Sequence, residues 1–195
     1  LIEKIRNVNV LGIRSKTQVT KKVLENANRL MAIGAFCIGT NQIDLKEATR
    51  KGVAVFNAPF SNTRSVVELA VAEMIMLMRN IVDKSAAMHK GKWDKSAKGS
   101  YEVRGKHLGL IGYGNIGTQL SVIAESLGMK VLYYDKEEKL ALGNATKCRS
   151  LQELLEKADV VSMHVDGREA NANLIGPKEF ELMKPSAYLI NTARG

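Results

Sequence analysis

The sequence predicts an α/β protein of two parallel-sheet units, and three observations carry the prediction. Short apolar runs of strand type alternate with helix-like segments along the chain, the order expected of β-α-β crossover units. A long apolar helix interrupts the alternation, and a glycine-rich turn opens the second, more regular set.

Taken in order, Val8 to Ile13 is extended and apolar, Thr20 opens a short helix, and Arg29 to Ile33 is extended again. Asp44 with Glu47 three residues later is a helix-start signature, Gly52 ends that helix, and Val53 to Phe56 supplies a third strand before Pro59 breaks the pattern. Ser65-Val66-Val67-Glu68 reads as a capping box opening the long helix. Its apolar positions Val66, Leu69, Ala70, Met74, Leu77, Met78 and Ile81 occupy most of the circumference, which predicts a largely buried helix. The methionines read as core filling. Lys90 to Gly105, polar and glycine-containing, reads as a surface excursion. The alternation then resumes: strand Leu108 to Ile111, helix Ile116 to Leu127, strand Lys130 to Tyr134, helix Ser150 to Ala158, strand Val160 to Val165, helix Pro177 to Met183 and strand Ala187 to Asn191. No solenoid repeat or low-complexity tract interrupts it.

A composition of 45% hydrophobic and 25% charged residues fits soluble globular material and excludes a disordered tail. No run approaches the roughly 18 to 20 uninterrupted apolar residues of a membrane span, and the amino terminus lacks a signal-peptide pattern. No membrane partner is expected, and the default expectation is a cytoplasmic location. Cys37 and Cys148 match no metal-ligand spacing and no disulfide framework, so they read as ordinary thiols. The net charge of +9 concentrates between Lys84 and Lys106, but Asp94 and Glu102 interrupt that segment, and only Trp93 and Tyr101 offer stacking surfaces. It matches no nucleic-acid-binding motif. A solvated face, or attraction toward a small anionic substrate and cofactor, accounts for the charge without a nucleic-acid partner.

Gly112-Tyr113-Gly114-Asn115-Ile116-Gly117 fits G-x-G-x-x-G, a weak signal alone, but it follows the apolar run Leu108 to Ile111 and opens an amphipathic helix. In that setting Gly112 permits the tight turn, Gly114 lets a pyrophosphate approach the backbone, and Gly117 lets the helix pack on the strand. The helix amino terminus then presents amides to the anion. The next strand ends at Asp135, 18 residues beyond Gly117. A carboxylate there accepts hydrogen bonds from the adenosine ribose hydroxyls and repels a 2′-phosphate, pointing to NAD rather than NADP. The plain alternative makes Asp135 a turn residue before Lys136-Glu137-Glu138. S-adenosylmethionine enzymes also carry glycine-rich turns after a first strand, although the third, helix-packing glycine suits a dinucleotide better.

These motifs resemble the D-isomer-specific 2-hydroxyacid dehydrogenases over the whole chain. The resemblance rests on Arg14-Ser15-Lys16-Thr17, Ile38-Gly39-Thr40-Asn41-Gln42-Ile43-Asp44, Asn57-Ala58-Pro59-Phe60-Ser61-Asn62-Thr63-Arg64-Ser65, Gly112 to Gly117, and Asn191-Thr192-Ala193-Arg194-Gly195. The second and third strings look specific to the branch acting on 3-phospho-D-glycerate. The resemblance implies a flavodoxin-like substrate lobe and a Rossmann nucleotide-binding lobe with the active site in the cleft between them. This chain holds part of each, residues 1–60 and 61–195, the latter including the long helix and the surface excursion. It implies NAD-dependent oxidation of 3-phospho-D-glycerate to 3-phosphohydroxypyruvate, the first step of serine biosynthesis, by a homo-oligomer.

By the same resemblance Arg14, Ser15, Lys16 and Asn62 face the substrate, and Lys95 reaches into the cleft of a neighbouring subunit; cations suit a phosphate and a carboxylate. The family often has arginine where Lys16 stands, so the planar fork is lost there. Gly112, Gly114, Asn115, Ile116, Gly117, Asp135, His164, Val165, Thr192, Ala193 and Arg194 line the cofactor. Arg194 matches the catalytic arginine, which holds the substrate carboxylate and polarises the C2 oxygen. The family pattern continues with an acidic residue and a histidine general acid/base, both beyond residue 195, so the isolated chain is expected to be inactive. His89 falls in a basic region and His107 at the end of its strand remote from ligands; His164 belongs to the adenosine side. The turn Asp166-Gly167-Arg168-Glu169 lacks the family's usual proline. Other readings stay open: a dehydrogenase of another D-2-hydroxy acid, a non-catalytic NAD-binding or dimer-forming fragment, or one of the corepressors built on this fold.

Overall fold

Three short strands, β1 (Val10–Ile13), β2 (Ala32–Ala35) and β3 (Ala54–Asn57), pair in parallel in that order in the computed structural model, which describes residues 1–193. The crossovers are α1 (Lys21–Glu25) and α2 (Leu45–Arg50). Asp44 caps α2 as expected, its Oδ1 accepting the Glu47 amide at 2.9 Å. The reciprocal half of a capping box is absent, because the Glu47 carboxylate takes the Arg50 guanidinium in a fork at 2.6 and 2.9 Å. Gly52 leaves the helix at φ +69°, a left-handed conformation natural to glycine. Ile13, Val23, Leu24, Ile33, Ala35 and Ala48 form the core of this unit, which runs from Leu1 to Asn62. Strand β2 begins later than its apolar run suggested, since pairing with β1 sets the register and aligns Ala32 with Val10.

The second unit begins at Thr63. Its first helix, α3 (Thr63–Met78), corrects two expectations. The helix starts before Ser65, and no capping box forms there: the Glu68 carboxylate accepts from Arg64 Nε at 2.8 Å, an i,i+4 pair that occupies the group the box requires. Nor is the helix buried all round. Val67, Ala70, Met74 and Met78 form one buried stripe, whereas Leu69 is 50% and Leu77 37% exposed, because a helix laid on a sheet hides only one face. The buried methionines do fill the core. Asn80, at φ 51°, ends the run, and Ile81 begins a separate helix, α4 (Ile81–His89). The stretch from 90 to 105 carries no regular helix or strand.

The remaining elements are β4 (His107–Ile111), α5 (Asn115–Ser126), β5 (Lys130–Tyr134), β6 (Thr146–Lys147), α6 (Leu151–Lys157), β7 (Val160–Met163), α7 (Pro177–Leu182) and β8 (Tyr188–Asn191). The strands form one parallel sheet in the order β6-β5-β4-β7-β8. Residues of α3 and α5 pack on one face and of α6 and α7 on the other, so β4 and β7 are near-continuous apolar runs, as buried parallel strands should be. Gly109 marks a close approach of α6 to the sheet: a Cβ there would lie 2.6 Å from Leu154 Cδ2. Among the described residues no helix is long and apolar enough to cross a membrane.

Candidate functional site

The strand order reverses between β4 and β7, so their carboxyl ends open a crevice of the kind in which parallel sheets hold ligands. Four chain segments emerge at that edge: Gly112 after β4, Asp135 after β5, His164 and Val165 after β7, and Thr192 and Ala193 after β8. The fold thus brings the expected cofactor residues to one edge, except Arg194, which lies outside the described residues.

The three glycines differ in what forces them. Gly112 has φ +92°, and a Cβ there would meet the His164 carbonyl oxygen at 2.7 Å; at Gly117 it would meet the Gly112 carbonyl oxygen at 2.3 Å. Backbone stands in the way at both, so any side chain requires the turn to move. A Cβ on Gly114 meets nothing within 4 Å. That position is open space in front of α5, whose first-turn amides have no intrahelical acceptor and whose first turn carries no acidic residue. A diphosphate fits there with its charge against the positive end of a 12-residue helix. Asn115 is exposed at the helix start, while the half-buried Ile116 side chain packs into the core, leaving its backbone to face the crevice.

Asp135 takes the turn role in this structure. Its Oδ2 accepts from the Tyr113 amide at 2.8 Å and its Oδ1 from the Glu137 amide at 2.9 Å, so it is a turn residue and also the clamp on the glycine loop. A carboxylate has about four lone-pair sites, which leaves capacity for two ribose hydroxyls.

Across the crevice, His164 Nε2 lies 2.9 Å from Ser162 Oγ, while its Nδ1 is buried without a hydrogen-bond partner. Burial pushes the imidazole down to about 4, so it is neutral near pH 7. Thr192 Oγ1 is likewise buried and unpartnered. Met163 pairs with Asn191, which makes His164 and Thr192 neighbours at the next step of the register. Unpaired buried polar atoms are costly, and two together at the mouth of the crevice fit a ligand that carries polar groups. Val165 is half-buried against the α6 side of the sheet, and the Ala193 amide donates to Asn191 Oδ1 at 3.0 Å.

In the first unit Arg14, Ser15 and Lys16 are exposed just past the carboxyl end of β1, and Asn62 is exposed in the segment that follows β3. Among the described residues neither Arg14 nor Lys16 has a carboxylate within salt-bridge distance. Lys95, in the second unit, has its Nζ 4.6 Å from the Trp93 ring centroid. It lines a groove of about 700 Å³ with residues of α3 and α4. His89 is exposed with Nδ1 2.8 Å from the Ser85 carbonyl, and His107 opens β4 at the far end of the sheet, its amide donating to Asp159 Oδ2 at 2.8 Å.

Two features of the crevice escaped the sequence reading. Tyr113 and Tyr133 stack with ring centroids 3.9 Å apart, and the Tyr113 hydroxyl lies 2.9 Å from Ser121 Oγ and accepts from the Leu142 amide at 3.1 Å. This ties the glycine turn to α5 and to the loop after β5. Beside Asp135 a depression of about 460 Å³ is lined by Tyr134, Lys136, Lys147, Cys148 and Arg149. The two-residue β6 that delivers its far wall is too short to read from periodicity.

The family model for the NAD binding domain of D-isomer specific 2-hydroxyacid dehydrogenases matches residues 71–195. D-3-phosphoglycerate dehydrogenase of Escherichia coli (strain K12) is 54% identical over 100% of this chain and 48% of the relative. D-3-phosphoglycerate dehydrogenase 2 of Saccharomyces cerevisiae is 53% identical over 100% of this chain and 42% of its own length. The chain therefore spans about half the length of the curated relatives it matches. Among solved structures, a D-lactate dehydrogenase from Aquifex aeolicus complexed with NAD and lactic acid aligns with TM-score 0.90 and 28% identity, covering 100% of this chain and 59% of that one. An acyclic imino acid reductase in complex with NADPH and D-Arg aligns with TM-score 0.91 and 27% identity, covering 100% and 62%. The glycine turn, the carboxylate after β5 and the matched stretch agree: this chain belongs to the D-isomer-specific 2-hydroxyacid dehydrogenases, and its second unit carries that family's NAD-binding domain.

Proposed function

We propose that the chain is part of an NAD-dependent dehydrogenase that oxidises 3-phospho-D-glycerate to 3-phosphohydroxypyruvate, the first step of serine biosynthesis, in the cytoplasm. Residues 1–60 then belong to the substrate-binding portion and 61–195 to the nucleotide-binding portion. The observation that carries the substrate is the pair of exposed cations Arg14 and Lys16 past β1, without a carboxylate partner among the described residues, in a chain that relatives named D-3-phosphoglycerate dehydrogenase match over its whole length. A phosphate needs such cations in addition to the one that takes the carboxylate, and a non-phosphorylated hydroxy acid does not.

NAD, when bound, supplies the acceptor for the C2 hydride. The chain's own groups bind and orient: the α5 amide cradle takes the diphosphate, Asp135 takes the ribose hydroxyls, and His164 and Thr192 offer polar atoms on the opposite wall. Arg14, Ser15, Lys16 and Asn62 face the substrate, the two cations toward its phosphate, and Arg194 holds the substrate carboxylate and polarises the C2 oxygen. Lys95 serves the substrate of a neighbouring subunit in a homo-oligomer. None of the three histidines suits the C2 proton: His89 and His107 lie away from the crevice edge, and His164 is buried, bonded to Ser162 and, at about 4, a weak base. The chain alone is therefore a nucleotide binder without turnover.

The test is to express the chain with the sequence that flanks it in its gene and to follow NADH formation with 3-phospho-D-glycerate. Turnover is expected; a folded protein that binds NAD and leaves this substrate untouched contradicts the proposal. A dehydrogenase of a non-phosphorylated D-2-hydroxy acid is the second reading, favoured by the likeness to D-lactate dehydrogenase. A preference of about tenfold for lactate over phosphoglycerate in kcat/KM decides for it.

A further inference from the structure

Tyr113 stands between the first two glycines of the turn, yet it is only 1% exposed. It ties the turn to β5, to α5 and to the loop after β5. Its amide donates to Asp135 Oδ2 at 2.8 Å, and its ring stacks on Tyr133 of β5 at a centroid distance of 3.9 Å and an interplanar angle of 20°. The hydroxyl lies 2.9 Å from Oγ of the fully buried Ser121 of α5 and accepts from the Leu142 amide at 3.1 Å. Ser121 Oγ directs its proton at the Thr118 carbonyl at 2.8 Å, so the Tyr113 hydroxyl is the donor between the two. One directional chain results, from the Leu142 amide through Tyr113 and Ser121 to Thr118. It ends on the first turn of α5, whose amides form the diphosphate cradle. Its starting point is firm, because the loop after β5 is also pinned by the Tyr133 hydroxyl on the Lys139 carbonyl and by Glu125 Oε1 on the Asn144 amide, both at 2.9 Å.

We propose that Tyr113 is a positioning residue for the nucleotide: its hydroxyl fixes the separation between the diphosphate cradle and the Asp135 carboxylate, so that a single ADP moiety engages both. The inference rests on the NAD reading of the crevice. As core filling a phenylalanine would serve equally, stacking on Tyr133 and leaving the same amide for Asp135; only the hydroxyl orients α5 relative to the turn. An ADP moiety joins its ribose hydroxyls to its phosphates through a short, stiff sugar linkage. Two groups joined in this way gain affinity from each other only where the site matches their spacing, and a misplacement of about 1 Å is costly. Tyr113, buried behind the turn, acts on the ligand through Asp135 and α5.

The experiment titrates the protein with its flanking sequence by calorimetry, with ADP and, separately, with adenosine, which reaches Asp135 but not the cradle; circular dichroism confirms folding. The unaltered protein is expected to bind ADP at least about tenfold more tightly than adenosine. Tyr113→Phe lowers that ratio at least about fivefold by weakening ADP, and leaves adenosine within about twofold. Ser121→Ala, which removes the acceptor of the same hydroxyl, lowers the ratio likewise. The double variant falls less than about twofold below either single one, because the two changes break one chain. If Tyr113→Phe fails to fold, Ser121→Ala alone carries the test. An unchanged ratio in the folded variants overturns the positioning role, as does an equal loss for ADP and adenosine, the mark of a merely structural residue, and so do losses that add in full in the double variant. Equal affinity for ADP and adenosine in the folded unaltered protein overturns the diphosphate cradle, and the NAD reading with it.

Discussion

In the second unit helices lie on both faces of the parallel sheet, whereas in the first α1 and α2 cover one face and Val10, Phe36 and Phe56 stand 66%, 71% and 62% exposed on the other. The two sheets also hold their candidate groups differently. Around Gly112 to Gly117 the site is backbone: a left-handed turn, a helix start and a packing contact with no room for a Cβ. In the first unit it is side chain: Arg14, Ser15, Lys16 and Asn62 exposed past strand ends. A site made of backbone geometry constrains the fold that carries it. One made of exposed side chains barely touches stability.

That contrast breaks most visibly at paired glycines. Gly117→Ala forces a Cβ to within 2.3 Å of the Gly112 carbonyl oxygen, and Gly12→Ala only to 3.1 Å from the movable Phe36 ring. Urea unfolding should show a loss of about 3 kcal/mol for the first and less than about 1 kcal/mol for the second, with NADH binding abolished only in the first. Equal losses mean the α5 packing is not the constraint it is taken to be.

Acid comes next, and between pH 8 and 5 its effect centres on the second unit, which contains all three histidines. His164 falls from the ordinary 6.5 to about 4 on folding. The unfolded chain then binds the proton more readily, so this contribution is present above about pH 6.5 and is lost as pH falls toward 4. Between pH 8 and 5 the loss is about 2 kcal/mol, and His164→Gln should flatten that part of the stability profile. An unchanged slope in the variant removes His164 as its source.

The smallest effect on folding belongs to Arg14→Ala, within about 0.5 kcal/mol because the side chain is exposed. In the protein with its flanking sequence the same change should raise KM for phosphoglycerate at least about tenfold and leave the Kd for NAD within about twofold. Parallel losses in both would remove Arg14 from the substrate.

What the amino-acid sequence made legible follows the same division. The glycine turn, the Asp44 cap and β5 with its terminal Asp135 could be read because each depends on near neighbours in the chain. The break at Asn80 could not, since an asparagine within an apolar helical run signals a left-handed residue only weakly. Strand β6 has two residues and exists through its pairing with β5. The tyrosine stack and the cations around Asp135 come from segments that only the sheet brings together. The carboxylate of Glu68 went to Arg64 because a strong local partner was available.

On the proposed reading, Gly114 is a glycine for the ligand's sake and not for the fold's. A Cβ there meets nothing within 4 Å, and its φ of −86° suits any residue. The direct measurement is NADH fluorescence titration of Gly114→Ala beside the unaltered chain, with thermal unfolding of both. Affinity at least about tenfold weaker, with a melting midpoint within about 2 °C, is the expected result. Equal NADH affinity in the two proteins would contradict a diphosphate seated against that backbone.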